Sequence, residues 1–167
     1  QEILTDPSYS GQIITMTYPH IGNYGVNDDD IESGDIKCSG FIVKQGCDFP
    51  SNYRSTSSIS DYLLKNHIVG IQGLDTRMIT RMIRDQGAMN AVITSEGLSD
   101  SQIQNKLNKL PDMNGLDLAK GISCKKAYLF EGNKDSQFKI AAIDYGIKLN
   151  ILRILSSLGC YIKVFPA

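Results

Sequence analysis

The 167-residue sequence lacks the features that would direct it to a membrane or a nucleic acid. No apolar run approaches the roughly 18 residues of a membrane span, and the first residues have neither region of a signal peptide. The 17 basic and 18 acidic residues are interspersed, so no basic surface for a nucleic acid or an anionic membrane is predicted. The chain also does not begin with methionine, so we expect an internal piece of a longer protein.

Cysteine and histidine are few, and their spacing matches no metal site. The four cysteines are expected to be free thiols in a reducing compartment: Cys38, Cys47, Cys124 and Cys160. We expect each to be a small buried apolar side chain and not a nucleophile. His20 and His67 have no ligand or acid partner nearby in sequence, so neither is assigned a catalytic role. The run Asp28–Asp30 lacks the spaced oxygen ligands of a calcium loop and is predicted to be a solvated turn. The sequence therefore predicts no metal site.

Residues 1–111 carry mixed strand and helix signals and are predicted to form one α/β domain. A serine cap and an aspartate cap followed by apolar periodicity mark two helices, the second ending before a glycine that suits a helix terminus. The predicted elements are strands at Gln12–Tyr18, Cys38–Val43 and Ala88–Thr94, and helices from Ser57 or Ser58 to Asn66, from Asp75 to Gly87, and at Asp100–Leu110.

The helix that follows Asp75 carries a stripe of three arginines, Arg77, Arg81 and Arg84. A solvated helix face is one interpretation of this stripe. Contact with a phosphate or an acidic partner, including a partner subunit, is the other. The sequence leaves both open.

Residues 138–167 have a different pattern from residues 1–111. An apolar strand is predicted at Phe138–Asp144, followed by a helix at Lys148–Leu158 and a further strand at Tyr161–Phe165. This order predicts one βαβ unit of a parallel sheet, with the preceding residues 112–137 as a connecting segment. We expect Ile151, Leu155 and Leu158 to align on one helix face. Lys148 follows the first parallel strand, where open α/β sheets bind ligands, and either caps the helix or serves a site.

Four blocks of sequence, in the same order, closely resemble the small, glutamine-hydrolysing subunit of carbamoyl-phosphate synthase. Together they cover most of the chain, so the resemblance is highly specific. The blocks are QEILTDPSYSGQIITMTYPHIGNYGVNDD at 1–29, VGIQGLDTRMITRMIRDQGAMN at 69–90, MNGLDLA at 113–119 and IAAIDYGIKLNILRIL at 140–155.

The resemblance implies an N-terminal domain of mixed sheet and helices, joined to a class I glutamine amidotransferase domain that starts at residue 138. It further implies that a Cys-His-Glu triad, outside these residues, hydrolyses L-glutamine and that the ammonia passes to a large subunit. That partner uses ATP, with Mg²⁺ implied, and bicarbonate to make carbamoyl phosphate for arginine and pyrimidine synthesis. No cofactor is expected on this chain, and residues 1–167 alone are expected to be inactive.

Two residues match glutamine-site positions of the family. Ser8, in the loop Asp6-Pro7-Ser8-Tyr9-Ser10, matches a serine that hydrogen-bonds the bound glutamine, and Lys148 matches a lysine near the glutamine pocket. Without the resemblance, a local turn closed by the Ser8 hydroxyl would be the favoured interpretation.

A non-catalytic docking module for a large partner subunit is the rival hypothesis, in which the resemblance reflects scaffold only. A third hypothesis is a class I amidotransferase with a different acceptor. The N-terminal blocks argue against it, because they resemble this family and not amidotransferases at large. The expected location is cytoplasmic, with the plastid stroma as the alternative.

Overall fold

A computed structural model describes residues 1–111, 113, 115–132 and 134–167. The fold is α/β, as the sequence predicts. The helices are α1 Glu2–Thr5, α2 Ile59–Lys65, α3 Thr76–Gln86, α4 Asp100–Leu107, α5 Leu118–Ile122 and α6 Leu149–Ser157, with a 3₁₀ turn at Pro7–Tyr9. The strands are β1 Ile13–Thr15, β2 His20–Ile21, β3 Gly40–Val43, β4 Gln45–Gly46, β5 Val69–Gln72, β6 Tyr128–Glu131, β7 Lys139–Asp144 and β8 Tyr161–Pro166.

The first sheet consists of three parallel strands in the order β1-β3-β5, beside a small parallel pair of β2 and β4. β3 is central, and its Phe41 and Val43, which lie on the same face of the strand, are buried, whereas Ile42 on the opposite face is partly buried. A buried apolar cluster joins this sheet to α1 and α2: Leu4, Ile14, Ile36, Cys38, Phe41, Val43 and Leu63.

Local capping chemistry explains where the helices of this first part begin. The Ser58 hydroxyl accepts a hydrogen bond from Asp61 N, and the Asp75 carboxylate accepts one from Met78 N, so α2 and α3 start where the sequence predicts. α3 ends at Gln86, and the φ of 86° at its C-cap, Gly87, suits glycine. α4 begins with a capping box between Ser99 and Gln102.

The second sheet has the strand order β6-β8-β7. β7 and β8 are parallel and joined through α6, which confirms the predicted βαβ unit. β6 pairs antiparallel with β8 although it lies in the predicted connecting segment, so part of that segment belongs to this sheet. Residues 112, 114 and 133 of the segment lie outside the described residues. The second core consists of Leu152, Cys160, Ile162 and Val164.

The strand predicted at Ala88–Thr94 is wrong, because this segment pairs with no strand. Instead the Ile93 side chain lies over β3, where a β-carbon added to Gly40 would come 2.8 Å from Ile93 Cγ2. The β-branched composition is therefore used for packing on a sheet face. Composition alone does not distinguish the two uses.

Two helix predictions are also corrected. α4 ends at Leu107 and not at Leu110, because residues 109 and 110 make tighter i→i−3 hydrogen bonds. In α6 the fully buried residue is Leu152, whereas Ile151, and Leu158 at the C-cap of the helix, are exposed. The apolar side chains of α6 cover a wide arc of the helix, and only the part of that arc around Leu152 faces the sheet.

Candidate functional site

The turn that contains Ser8 is organised by the carboxylate of Asp6. Asp6 precedes the 3₁₀ turn, and its Oδ1 accepts a hydrogen bond of 2.9 Å from Ser8 N. The Ser8 carbonyl accepts a hydrogen bond of 3.1 Å from Gln12 Nε2. Ser8 itself is an exposed residue, while its backbone is held in place.

Lys148 lies at the N-cap position of α6, but its side chain makes no capping hydrogen bond. Instead the Lys148 ammonium lies 2.7 Å from Asp6 Oδ2. Of the two alternatives that the sequence leaves open, capping by the side chain is therefore wrong. The ion pair raises the pKa of Lys148, so the ammonium is protonated throughout the neutral range.

The structure thus brings both predicted site residues to one carboxylate. Burial opposes ionisation of Asp6, but hydrogen bonds from Lys148 and from the backbone and side chain of Ser8 outweigh it, and the pKa of Asp6 lies below its ordinary value. Asp6 is ionised at neutral pH and holds the exposed residue Ser8 and the Lys148 ammonium close together.

Glycine at position 146 allows the two parts of the chain to approach this closely. Its φ is 95°, and an added β-carbon would lie 2.5 Å from Ile122 Cδ1 and 3.1 Å from Pro7 Cβ. The buried Asp144 shapes the same turn by accepting hydrogen bonds of 2.9 Å from both Gly146 N and Ile147 N. Any side chain at position 146 would push the turn away from Pro7.

A second set of contacts fixes the start of α6 against the acidic loop. The backbone and side-chain oxygens of Glu32 accept hydrogen bonds from Leu149 N at 2.9 Å and from Asn150 N at 3.0 Å. Arg153 Nη1 donates to the carbonyls of Asp29 and Ile31 at 3.0 and 2.8 Å. Glu32 therefore supplies the cap that Lys148 does not supply.

Sequence analysis missed Asp6 and Glu32 as organising residues. Asp6 stands next to a predicted site loop, so its position was a usable signal. Glu32 is separated by 118 residues from the backbone amide that it binds, and no local pattern connects the two.

Two of the three aspartates of the acidic run, Asp29 and Asp30, form ion pairs with Arg54. The Arg54 guanidinium contacts Asp30 at 2.8 Å and Asp29 at 3.3 Å. The pKa of Asp30 is lowered, chiefly by a hydrogen bond from Asn27 and further by Arg54. Burial acts in the opposite direction and is outweighed. Within residues 1–111, 113, 115–132 and 134–167, no cluster of three or more His, Cys, Asp or Glu side chains could hold a metal ion.

All four cysteines are free thiols, as expected, and Cys38 and Cys160 are buried as predicted. Cys47 and Cys124 are only half-buried, so the prediction of burial is wrong for them. Burial, reinforced by the charge of Asp144, raises the pKa of Cys124, which disfavours the nucleophilic thiolate.

The arginines of α3, Arg77, Arg81 and Arg84, are all exposed. Arg84 pairs with Asp85 at 3.2 Å. The exposure fits both interpretations of this stripe, so the choice between them stays a prediction.

No helix in the described part of the chain has the length and apolar character to cross a membrane.

Comparisons with known proteins agree with the resemblance. Residues 1–93 match the family model described as "Carbamoyl-phosphate synthase small chain, CPSase domain". The chain is 50% identical to the carbamoyl phosphate synthase small chain of Syntrophotalea carbinolica, and the match covers 100% of this chain and 48% of the relative. It is 44% identical to that of a Nostoc species, covering 100% and 47% of the two chains, and 46% identical to that of Thermotoga maritima, covering 99% and 42%. The chain thus spans about half the length of the relatives that it matches.

Proposed function

Because the chain belongs to the carbamoyl-phosphate synthase small chain family, we propose that it is part of a subunit that hydrolyses L-glutamine and delivers ammonia to a large synthase subunit. The large subunit would use ATP, Mg²⁺ and bicarbonate to form carbamoyl phosphate for arginine and pyrimidine synthesis. We propose no cofactor on this chain and a cytoplasmic location. The proposed domains are residues 1–111 and 138–167, with 112–137 between them, of which β6 joins the second sheet.

The observation that carries the proposal is the Asp6 bridge between Ser8 and Lys148. Two parts of the chain far apart in sequence place the exposed residue Ser8 and the Lys148 ammonium around one carboxylate. The match to the Syntrophotalea relative covers both parts. A site formed by only one of the two parts would not need this bridge.

The two residues suit different groups of glutamine. The Lys148 ammonium, protonated at neutral pH because the ion pair raises its pKa, would attract the α-carboxylate of the amino acid. The Ser8 hydroxyl would donate a hydrogen bond to the ligand or accept one from it. Asp6 would act as a positioning residue that orients both and touches no substrate. Ser8 and Lys148 would thus bind glutamine, and Asp6 would hold them in place, without taking part in bond cleavage.

Bond cleavage would belong to the Cys-His-Glu triad that the resemblance places outside these residues. The cysteine thiolate would attack the amide carbon, and ammonia would leave after receiving a proton, so that a thioester forms. Water would then cleave the thioester to glutamate and regenerate the thiol. This division of work agrees with the raised pKa of Cys124 and the burial of Cys38 and Cys160.

The experiment is a pair of assays on the full-length protein that contains this chain, with and without its large subunit. We expect glutamate release from glutamine by the small subunit alone, faster release in the complex, and carbamoyl phosphate formation from glutamine in the complex. Ammonia should support carbamoyl phosphate formation without glutamine. Complex formation without any glutamate release would instead favour the rival docking module.

A further inference from the structure

Glu32 connects the two ends of the proposed glutamine site a second time, beside the ion pair of Asp6 with Lys148. Glu32 N donates a hydrogen bond of 2.9 Å to Thr5 Oγ1, and Thr5 directly precedes Asp6. Glu32 O accepts a hydrogen bond of 2.9 Å from Leu149 N, and Leu149 directly follows Lys148. We call Thr5, Glu32 and Leu149 the Glu32 link. It joins the immediate neighbours of both partners of the ion pair.

The Thr5 end of the Glu32 link is completely buried. Thr5 is 0% exposed, and its hydroxyl also donates a hydrogen bond of 3.2 Å to Glu2 O. The Thr5 carbonyl in turn accepts a hydrogen bond from the Ser33 hydroxyl. Because this end is closed to water, loss of the Thr5 hydroxyl would leave the Glu32 amide without an acceptor.

The α6 end of the link is held by two further side chains. Glu32 Oε2 accepts a hydrogen bond of 3.0 Å from Asn150 N. Arg153, on the next turn of α6, donates from Nη1 to the carbonyls of Asp29 and Ile31 at 3.0 and 2.8 Å. Contacts on two successive turns fix both the place and the rotation of α6 against residues 29–32.

The ion pair alone does not fix the position of Lys148. Its side chain is 44% exposed and consists of a flexible four-carbon stem, so one contact at its end allows many conformations. The Glu32 link instead restrains the backbone from which this side chain extends. A ligand that contacts Lys148 and Ser8 at once requires a defined separation of the two, because a misplacement of about 1 Å weakens such a site.

We propose that Thr5, Glu32 and Arg153 are positioning residues, which place Lys148 relative to Ser8 at the separation that glutamine requires. This inference rests on the proposed function. The three residues would touch no substrate and would act on the binding of glutamine and not on bond cleavage. Their loss should therefore appear in KM for glutamine and not in kcat.

The test compares two substitutions of Thr5 in the full-length protein bound to its large subunit. Thr5→Val keeps the branched shape but removes the acceptor of the Glu32 amide, so KM for glutamine should rise about 5- to 30-fold while kcat changes less than about twofold. Thr5→Ser keeps the hydroxyl, and its KM should stay within about threefold of the parent. Carbamoyl phosphate formation from ammonia should be unchanged in both variants, because ammonia bypasses the glutamine site.

Thr80→Val is the matched control. The Thr80 hydroxyl also bonds a backbone carbonyl, that of Thr76 at 2.8 Å, but it lies on α3, outside the Glu32 link. Its KM should stay within about twofold of the parent. Arg153→Met changes a half-buried side chain and tests the same link if Thr5→Val folds poorly. It should raise KM about 3- to 10-fold, as expected for the loss of neutral hydrogen-bond acceptors.

A role in stability alone predicts a different result. Thr5→Val would then unfold at a lower temperature but keep the parent KM, because the molecules that remain folded would bind glutamine as the parent does. The double variant Thr5→Val/Lys148→Met separates the two roles further. If the link acts through Lys148, Thr5→Val should raise KM less in the Lys148→Met background than in the parent. Equal increases in both backgrounds would contradict the proposal.

The remaining outcomes distinguish this proposal from the proposed function. If the parent hydrolyses glutamine and a well-folded Thr5→Val keeps the parent KM, the positioning role is overturned and the proposed function stands. If Thr5→Val folds poorly, an unchanged KM of Arg153→Met has the same meaning. An equal rise in Thr5→Ser and Thr5→Val also overturns the role, because the hydroxyl would not be responsible. A parent that releases no glutamate overturns the proposed function and this proposal together.

Discussion

The ammonium of Lys148 lies 2.7 Å from Asp6 Oδ2, while the other oxygen of the same carboxylate accepts a hydrogen bond from Ser8 N. This pair connects the N-cap of α6 to the first 3₁₀ turn of the chain. The positions of the two proposed glutamine-binding residues are therefore interdependent. Displacement of the Asp6 carboxylate should disturb both of them.

Substitution of either partner of this ion pair should destabilise the protein modestly. Asp6→Asn and Lys148→Met should each lower the free energy of unfolding by about 1 kcal/mol, because Lys148 is partly solvated and its charge is screened. The double variant should cost less than the sum of the two single variants. Urea denaturation at pH 7 measures all three, with Lys126→Met, an exposed lysine ahead of β6, as the control. Additive effects would show that the two residues are not coupled.

The contribution of the pair should be constant from about pH 5 to pH 9. Asp6 has a folded-state pKa below its ordinary 3.8, so its contribution is present above 3.8 and is lost as the pH falls through the lower value. Lys148 has a folded-state pKa above 10.5, so its contribution is present below 10.5 and is lost as the pH rises through the higher value. The difference in unfolding free energy between the parent and Lys148→Met, measured across pH, should be flat in this window. A step near neutral pH would contradict the assignment.

Ser8→Ala should raise KM for glutamine in the full-length enzyme and leave kcat within a few-fold. The expected change is about 10- to 150-fold, since a hydrogen bond to a charged ligand group contributes about 1.5 to 3 kcal/mol. Steady-state kinetics with glutamine measure this change, ammonia-dependent synthesis should be unaffected, and Ser10→Ala in the same loop is the control. An unchanged KM with a stability loss of about 1 kcal/mol would mean that the hydroxyl only closes the local turn.

Glu32→Ala should loosen the start of α6, because the Asn150 amide loses its acceptor. The expected loss is about 0.5 to 2 kcal/mol of unfolding free energy, as for other helix caps. Glu32→Gln keeps an acceptor and should lose only the charge–dipole attraction of about 0.3 to 1 kcal/mol. Thermal unfolding and amide exchange in α6 measure both variants. Equal effects would show that the charge, and not the hydrogen bond, holds the helix.

A polypeptide of residues 1–167 alone should release no glutamate from glutamine. Cys38 and Cys160 are buried, and burial and Asp144 raise the pKa of Cys124, so these three thiols are poorly suited to nucleophilic attack. A coupled assay for glutamate measures the release. Activity above a blank that disappears in Cys124→Ser, or in Cys47→Ser at the remaining half-buried thiol, would place the nucleophile within these residues.

Short-range signals in the sequence predicted much of the fold. Ser58 and Asp75 each cap a helix with a side chain that bonds an amide three residues later. The strand–helix–strand order of residues 138–167 likewise predicted the parallel pairing of β7 with β8. These features are local, because capping and parallel crossover connections depend on neighbouring residues.

Ser8 and Lys148 were predicted as site residues from the resemblance, but the sequence did not indicate that Asp6 joins them. The role of Glu32, the buried side of α6, the pairing of β6 and the packing of Ile93 on Gly40 were also not predictable. Each depends on which distant segment comes within contact distance. Several placements of an apolar helix or a β-branched segment satisfy the same local pattern. Only the tertiary structure selects among them, through close packing and the satisfaction of buried polar groups.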